Sequence, residues 1–192
     1  MPEQSWSEGY VVDLDYTHGY YRDLAPALLR FVTLLGGVRA AETDAEFTYY
    51  ELGCGHGFST ALHAAANPAG RFIGVDFNPT HVQNAQLLAR NAGVGNVRFL
   101  EKSFAELLEM DLPDAEIIGL HGVWTWIGDE HRRQIVEFIR RKLKPGGIVY
   151  LSYNCLPGQA QMAPLQRLLV EHAALLPGGR TEQIRRSIEF AA

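Results

Sequence analysis

A glycine-rich turn is the part of the sequence best suited to binding chemistry. Residues 51–59 read Glu-Leu-Gly-Cys-Gly-His-Gly-Phe-Ser, with glycines at Gly53, Gly55 and Gly57 between a β-rich run and a helical run. Glycine has no Cβ and tolerates positive φ, so the backbone can turn sharply and approach a ligand. The free amides of the following helix favour a carboxylate or a phosphate. The turn therefore indicates a binding site, although a tight turn without a ligand can use the same glycines.

An acidic residue, Asp76, ends the next β-rich run. A carboxylate at this place can accept hydrogen bonds from two ribose hydroxyls, as in nucleoside-cofactor sites on parallel α/β sheets. Phe77, which follows it, could lie against an adenine ring. Asp76 could instead cap the next helix, but Asn78 and Thr80 are available for that role. The acid and the turn together predict a nucleoside-containing cofactor.

The carboxylate of Glu51 separates two classes of cofactor. A dinucleotide would place its pyrophosphate at the glycine turn, where a nearby carboxylate repels it. S-adenosylmethionine has no phosphate, and its ammonium and sulfonium groups are attracted by a carboxylate. The spacing Gly-x-Gly-x-Gly also differs from the dinucleotide pattern Gly-x-Gly-x-x-Gly. The residues therefore favour S-adenosylmethionine over a nicotinamide dinucleotide.

The elements that position these residues follow a regular order. From residue 47, short β-rich runs alternate with helical runs, which is typical of βαβ units and a parallel sheet. The predicted strands are 47–52, 71–76, 97–101, 117–120 and 148–153. The predicted helices begin near residue 24, with Asp23 as N-cap, and continue at 58–66, 79–92, 103–110, 129–142, 160–176 and 181–190. We therefore predict an α/β fold with a Rossmann-like, doubly wound, mainly parallel sheet flanked by helices.

Three motifs together resemble the class I S-adenosylmethionine-dependent methyltransferases. They are Glu51-x-Gly-x-Gly-x-Gly57, the acid Asp76, and Leu143-Lys-Pro-Gly-Gly147 before the fifth predicted strand. The resemblance spans residues 47–153 and implies S-adenosylmethionine as cofactor and S-adenosylhomocysteine as product. The cofactor-binding residues predicted in this way are Glu51, Gly53, Cys54, Gly55, Gly57, Asp76, Phe77, Ser103, Phe104 and His121.

One position departs from the family pattern. Many class I members carry an acid at the end of the third strand that reaches the adenine amino group, whereas this chain has Glu101-Lys-Ser-Phe104 there. Ser103 and Phe104 would have to serve instead, through a hydroxyl or backbone contact and an apolar wall.

The resemblance also bears on the organisation of the chain. Four motifs outside this core are similar to those of a bacterial subgroup that carries a methyltransferase regulatory domain after the catalytic core. These motifs are Trp6-Ser-Glu-Gly-Tyr10, Asp15-Tyr-Thr-His-Gly-Tyr-Tyr21, His121-Gly-Val-Trp-Thr-Trp126 and Ser152-Tyr-Asn-Cys-Leu-Pro-Gly158. We predict an N-terminal aromatic segment and helix over 1–46, the cofactor-binding core over 47–158, and C-terminal helices over 159–192 that lead into a further region.

Class I sheets are completed by an antiparallel hairpin, and no two β-rich runs remain after residue 153 to form it. The hairpin is therefore expected to be missing, and the chain to be a fragment of a longer protein that binds the cofactor but turns over poorly. Strand 148–153 would then be an apolar edge, through which copies of the chain could associate.

The sequence indicates less clearly which residues bind the methyl acceptor. Methyl transfer needs the acceptor held behind the methyl group and water excluded. His121 follows the fourth predicted strand and is the candidate general base by residue type, with a core or cofactor-contacting histidine as the alternative. Tyr20 and Tyr21 are the other catalytic candidates. With Tyr16 and His18 they could form a lid over the cleft, or an aromatic strap packed outside the sheet.

Composition narrows the classes of partner. The formal net charge is −5, so nucleic acid is an unlikely partner, and a small molecule or a protein is the expected acceptor. The sequence has no signal peptide and no apolar run long enough for a membrane span, which predicts a cytoplasmic protein. Two separated cysteines and histidines without ligand spacing predict no metal site.

A cofactor-binding regulatory module without catalysis is the alternative function, and a nicotinamide-dependent oxidoreductase is a distant third.

Overall fold

The computed structural model describes residues 18–40 and 45–192. The predictions for Trp6, Tyr10, Asp15 and Tyr16 lie outside these residues. Contacts divide the chain into two compact units, Met1–Tyr153 and Asn154–Ala192.

The first unit is built on a five-stranded parallel sheet. Its strands are β1 Phe47–Leu52, β2 Gly70–Asp76, β3 Val97–Glu101, β4 Ala115–Leu120 and β5 Leu143–Leu151. Their order in the sheet is β3-β2-β1-β4-β5, and every described strand pair is parallel. The chain runs outward from β1 first to β2 and β3, and then to β4 and β5, so the strand order reverses between β1 and β4. The predicted fold class is confirmed, and the reversal marks where a sheet of this kind binds ligands.

Helices follow the strands as the alternation predicts. The α-helices are α1 Pro26–Leu35, α2 Phe58–Ala66, α3 Pro79–Asn91, α4 Phe104–Leu108, α5 Asp129–Lys142, α6 Ala163–Ala174 and α7 Arg180–Ala191. Two 3₁₀ turns, Arg22–Leu24 and Trp124–Trp126, lie before α1 and α5.

The predicted N-cap Asp23 is wrong. Helix α1 begins at Pro26, and its N-cap residue is Ala25, which has no side-chain capping bond and an extended backbone at ψ 126°. A residue before proline avoids the helical region, and proline is well suited to the first helical position. Pro26 therefore sets the start of the helix.

The two faces of the sheet are covered by different helices. Tyr49, Phe72 and Ile117 pack on the face covered by α1 and α2. The next residue of each strand points the opposite way, so Tyr50, Ile73 and Ile118 join the core under α4 and α5, with Leu107, Ile135 and Phe138. Because both faces of the sheet are covered, every residue of β1 is buried.

Strand β5 differs from its predicted bounds of 148–153. It begins at Leu143, which pairs with Ala115, and the register then shifts so that Ile117 pairs with Ile148. The Lys-Pro-Gly-Gly segment lies in this irregularity, with Gly146 at φ 80°. The Leu143–Gly147 motif, which was expected before the strand, is therefore part of it and contains a bulge.

The second unit is a helical hairpin. Helices α6 and α7 pack together, with the ring of His172 stacked on Phe190 at 4.1 Å. The Nδ1 atom of His172 lies 3.1 Å from the Ser187 hydroxyl. Across the described ranges of the chain, no helix is both long enough and apolar enough to cross a membrane.

Candidate functional site

The glycine turn, residues 53–57, has the backbone that its sequence predicts. Gly53, Gly55 and Gly57 have φ values of 76°, 53° and 69°. A Cβ on Gly57 would lie 2.5 Å from the Ala85 Cβ and from the Phe99 ring. The glycines therefore serve both conformation and close packing of the turn.

Asp76 holds the glycine turn in place. Its Oδ2 atom accepts a hydrogen bond from the Gly55 amide at 2.9 Å, and Oδ1 accepts one from the Asn78 amide at 2.9 Å. Each carboxylate oxygen has a second lone pair, so both can still accept a ribose hydroxyl. The cap of α3 is Asn78, whose Oδ1 accepts from the Thr80 amide at 2.9 Å, as predicted.

Glu51 is a buried acid beneath the turn. Its side chain belongs to a residue that is 3% exposed, and Oε2 accepts a hydrogen bond from the Thr60 hydroxyl at 2.6 Å. Burial raises the pKa of Glu51 to about 7, and the charge of Asp76 adds to the rise while the Thr60 bond opposes it. A carboxyl with this pKa changes charge near neutral pH, and a cation bound beside it would favour the ionised form.

Cys54 is part of the backbone junction rather than a reactive thiol. The amides of Gly53 and Cys54 both donate to the Val75 carbonyl, at 2.8 and 3.0 Å. Burial raises the pKa of the Cys54 thiol well above its usual value, which keeps it protonated.

A column of histidine rings lies beside the turn, and no local sequence pattern indicates it. His18 stacks on His56 at 4.1 Å, and His56 lies 4.5 Å from His81. The Nδ1 atom of His81 is 3.4 Å from Oδ1 of Asp76. The column connects the N-terminal segment, the glycine turn and α3. In the part of the chain that the structure describes, no group of three or more His, Cys, Asp or Glu could hold a metal ion.

The end of β3 adjoins Asp76. The Lys102 amide donates to the Asp76 carbonyl at 3.0 Å, which brings Ser103 and Phe104 to this corner of the sheet. Ser103 caps α4 in a reciprocal capping box with Glu106, and its hydroxyl donates to Glu106 at 3.0 Å. The Ser-x-x-Glu spacing is a recognised sign of such a box. The serine hydroxyl therefore already has a structural role, and the adenine role of Ser103 and Phe104 stays a prediction.

His121 follows β4 at the level of the glycine turn. Glu51 pairs with Gly119 in the sheet, and His121 follows directly after the last residue of β4, Leu120. The loop beyond it also meets the turn, because a Cβ on Gly53 would overlap with Cγ2 of Val123. His121 therefore borders the predicted cofactor site.

The segment before α1 is bonded to the helix that follows the turn. The Tyr21 amide donates to the Ser59 hydroxyl at 2.7 Å, and Nε2 of His63 lies 3.1 Å from the Tyr21 carbonyl. The Tyr21 ring stacks on His121 at 4.0 Å. Tyr20 is 50% exposed. Of the two tyrosines predicted as catalytic candidates, Tyr21 is thus in ring contact with the third candidate, His121.

Arg132 organises the loop after β4. Its guanidinium donates to the Trp124 carbonyl at 3.1 and 3.2 Å and to Asp129 at 2.9 Å, and it lies 5.7 Å from the centre of the Trp124 ring. Trp126, in the same loop, is 67% exposed. The Trp124 ring is therefore held by Arg132, while the Trp126 side chain is exposed to solvent.

The chain is similar to known methyltransferases in both sequence and structure. A family model described as methyltransferase domain matches residues 43–190. The structure of PKMT2 from Rickettsia typhi in complex with AdoHcy superimposes with a TM-score of 0.80 at 25% identity, over 92% of this chain and 34% of that one. The predicted membership of the class I S-adenosylmethionine-dependent methyltransferases is thereby confirmed, whereas the subgroup with a regulatory domain stays a prediction.

Curated relatives include proteins of different length. An uncharacterized protein of Synechocystis sp. (strain ATCC 27184 / PCC 6803 / Kazusa) is 40% identical over 97% of this chain and 37% of its own length. A tRNA (guanine-N(7)-)-methyltransferase of Shewanella amazonensis is 31% identical over 68% of this chain and 55% of its own length. The chain thus spans little more than a third of the Synechocystis protein.

Proposed function

We propose that this chain, which belongs to the methyltransferase domain family, binds S-adenosylmethionine beyond the carboxyl ends of β1 and β2 and transfers its methyl group to an acceptor. S-adenosylhomocysteine is the product. The observation that carries the proposal is the contact of Asp76 with the glycine turn, since one carboxylate orders the turn and keeps lone pairs for a ribose.

Each part of the cofactor has a matching group. Asp76 is assigned to the ribose hydroxyls, and Phe77 with Phe104 to the faces of the adenine. The glycine turn is assigned to the methionyl part, whose ammonium is attracted by the buried carboxyl of Glu51. The same carboxyl disfavours a pyrophosphate at the turn, which is the reason to prefer this cofactor to a nicotinamide dinucleotide.

The methyl transfer requires little from the protein beyond the positioning of the acceptor and the cofactor. A lone pair of the acceptor attacks the methyl carbon in line with the carbon–sulfur bond, whose electron pair passes to sulfur as the bond breaks. The methylated acceptor afterwards releases any proton that it must lose. His121, Tyr20 and Tyr21 are the candidates for contact with the acceptor, because they border the turn or belong to the segment bonded to α2.

Titration calorimetry tests the cofactor class. We expect S-adenosylhomocysteine to bind and NAD to give no heat of binding, because only the former lacks a pyrophosphate. Binding of NAD instead would contradict the assignment of the turn and support an oxidoreductase. A screen with methyl-labelled S-adenosylmethionine against metabolites and cell lysate then separates the enzyme from a regulatory module, which would bind without turnover.

The proposal also covers the class of acceptor, the cellular location, the domain organisation and the association of copies. The acceptor is proposed to be a small molecule or a protein. Because one relative is a tRNA methyltransferase, the acceptor screen should also include nucleic acid. We propose a cytoplasmic protein in which a lid over 1–46, a core over 47–158 and helices over 159–192 precede a methyltransferase regulatory domain. Among the described residues β5 lies at an edge of the sheet, and association of copies through it is proposed as well.

Cofactor affinity is expected to depend on pH through Glu51. Below its pKa of about 7 the carboxyl is protonated in the free protein, and the cofactor ammonium favours its ionisation. Binding there releases a proton, so affinity rises with pH, by at most about tenfold per pH unit, and levels off above the pKa. Calorimetry in buffers of different ionisation enthalpy measures the released proton.

Two variants isolate this effect from the nearby histidines. Glu51→Gln cannot ionise and should lose the proton release. Thr60→Val removes the hydrogen bond that lowers the pKa of Glu51, so the levelling-off should move to higher pH. Proton release that is unchanged in Glu51→Gln would assign it to another group.

A further inference from the structure

Ser59, near the start of α2, bonds to a segment that lies far before it in the chain. Its hydroxyl oxygen accepts a hydrogen bond from the Tyr21 amide at 2.7 Å, and its proton is donated to the Gly19 carbonyl at 3.1 Å. An amide can only donate and a carbonyl can only accept, so the backbone fixes the direction of both bonds. Ser59 is buried, and its hydroxyl therefore joins two backbone groups that would otherwise bond to water.

The cap of α2 does not account for this hydroxyl. A serine close to the start of a helix commonly accepts a hydrogen bond from its own helix as the N-cap residue. In α2 the N-cap residue is Gly57, and Ser59 occupies the second helical position. Both bonds of the Ser59 hydroxyl go instead to residues 19–21, so the side chain serves that segment.

His63 holds the same segment from the next turn of α2. Positions 59 and 63 are four residues apart and share one face of the helix. Nε2 of His63 lies 3.1 Å from the Tyr21 carbonyl, and because a carbonyl can only accept, Nε2 carries a proton. The same carbonyl accepts from the Leu24 amide at 3.2 Å, at the 3₁₀ turn before α1. The amide and the carbonyl of Tyr21 are thus both bonded to side chains of α2.

The backbone held in this way determines where the Tyr21 ring lies. The ring stacks on His121 at 4.0 Å, with 28° between the two planes. A Cβ on Gly19 would lie 3.1 Å from Cζ and from the hydroxyl oxygen of Tyr21, so the glycine leaves room for the ring. Since α2 begins directly after Gly57, contacts run from the glycine turn through Ser59 and Tyr21 to His121.

We propose that Ser59, supported by His63, is a positioning residue that sets the Tyr21 ring on His121 and thereby couples the glycine turn to the candidate acceptor residues. Ser59 acts through Tyr21 and needs no contact with the acceptor. A cofactor that orders the turn also fixes the start of α2 and, through this hydroxyl, the two stacked rings. The coupling rests on the proposed function, whereas the positioning of Tyr21 by Ser59 is a property of the protein alone.

Amide hydrogen exchange on the full chain, followed by NMR, tests the positioning. In the wild type the Tyr21 amide should be protected, because it donates to a buried hydroxyl. Ser59→Ala removes this acceptor, and the Tyr21 amide should then exchange faster by roughly three- to tenfold, which corresponds to the net contribution of one hydrogen bond.

The stacked rings give a second measurement, which a general loss of stability does not reproduce. The ring current of Tyr21 displaces the imidazole proton signals of His121, and Tyr21→Leu shows where these signals lie without it. The His121 signals are assigned by their loss in His121→Gln. In Ser59→Ala they should move from the wild-type positions toward those of Tyr21→Leu.

Thr33→Val is the matched control, because the Thr33 hydroxyl donates to the Leu29 carbonyl at 2.8 Å within α1 and joins no separate segment. It should leave the exchange of the Tyr21 amide and the His121 signals as in the wild type. Unchanged exchange of the Tyr21 amide in Ser59→Ala, or unchanged His121 signals in that variant, would overturn the inference.

The coupling is read from the same exchange measurement with saturating S-adenosylhomocysteine. The ligand should slow exchange of the Tyr21 amide in the wild type and have a smaller effect in Ser59→Ala. An equal effect in both proteins would overturn the coupling. Absence of binding to the wild type would contradict the proposed function and the coupling with it, while the free proteins still decide whether Ser59 positions Tyr21.

Discussion

Asp76→Ala is expected to weaken binding of S-adenosylhomocysteine at least tenfold. Hydrogen bonds to a charged group contribute about 1.5–3 kcal/mol each, and the variant removes those assigned to the ribose. It also leaves the amides of Gly55 and Asn78 without the carboxylate that orders them in the free protein. The loss should therefore combine missing cofactor contacts with a less ordered turn.

Calorimetry gives the affinity, and urea unfolding gives the accompanying loss of stability. Glu116→Ala is the matched control, because Glu116 also accepts a backbone hydrogen bond, from Thr48 at 2.7 Å, but near the amino ends of β1 and β4. This control should lower the free energy of unfolding and leave cofactor affinity unchanged. An Asp76→Ala protein that binds as tightly as the wild type would refute the ribose role.

The fold was predictable where local pattern and sheet position agree. Strands 47–52 and 97–101 have the same bounds in the structure as in the prediction, because each is a run rich in β-branched and aromatic residues between turn residues. The start of β5 was not predictable, since its pairing with β4 through the bulge depends on a neighbouring strand. Asp23 failed as a cap because the proline after it decided where the helix begins.

The site was predictable in the parts that lie next to strand ends. Glu51, the glycine turn and Asp76 are brought together by the parallel sheet alone, since the carboxyl ends of its strands meet at one edge. The histidine column and the Ser59 contact with Tyr21 join segments far apart in the sequence. No local pattern indicates such contacts, so the structure was needed to find them.

Gly57→Ala is expected to destabilise the fold far more than Gly93→Ala, although both glycines have positive φ, at 69° and 66°. The left-handed backbone costs an alanine about 1–2 kcal/mol at either position. Around Gly93 a Cβ meets nothing within 4 Å, whereas at Gly57 it lies 2.5 Å from Ala85 and Phe99.

Overpacking of this kind adds about 1–3 kcal/mol, so Gly57→Ala should show a larger drop in the free energy of unfolding by that amount. Urea unfolding of the two variants beside the wild type measures the difference. Equal losses would mean that only the backbone conformation requires glycine at position 57. A larger loss at Gly57 would show that the turn is also held by its packing against Ala85 of α3 and Phe99 of β3, which would fix the amides that are proposed to face the cofactor.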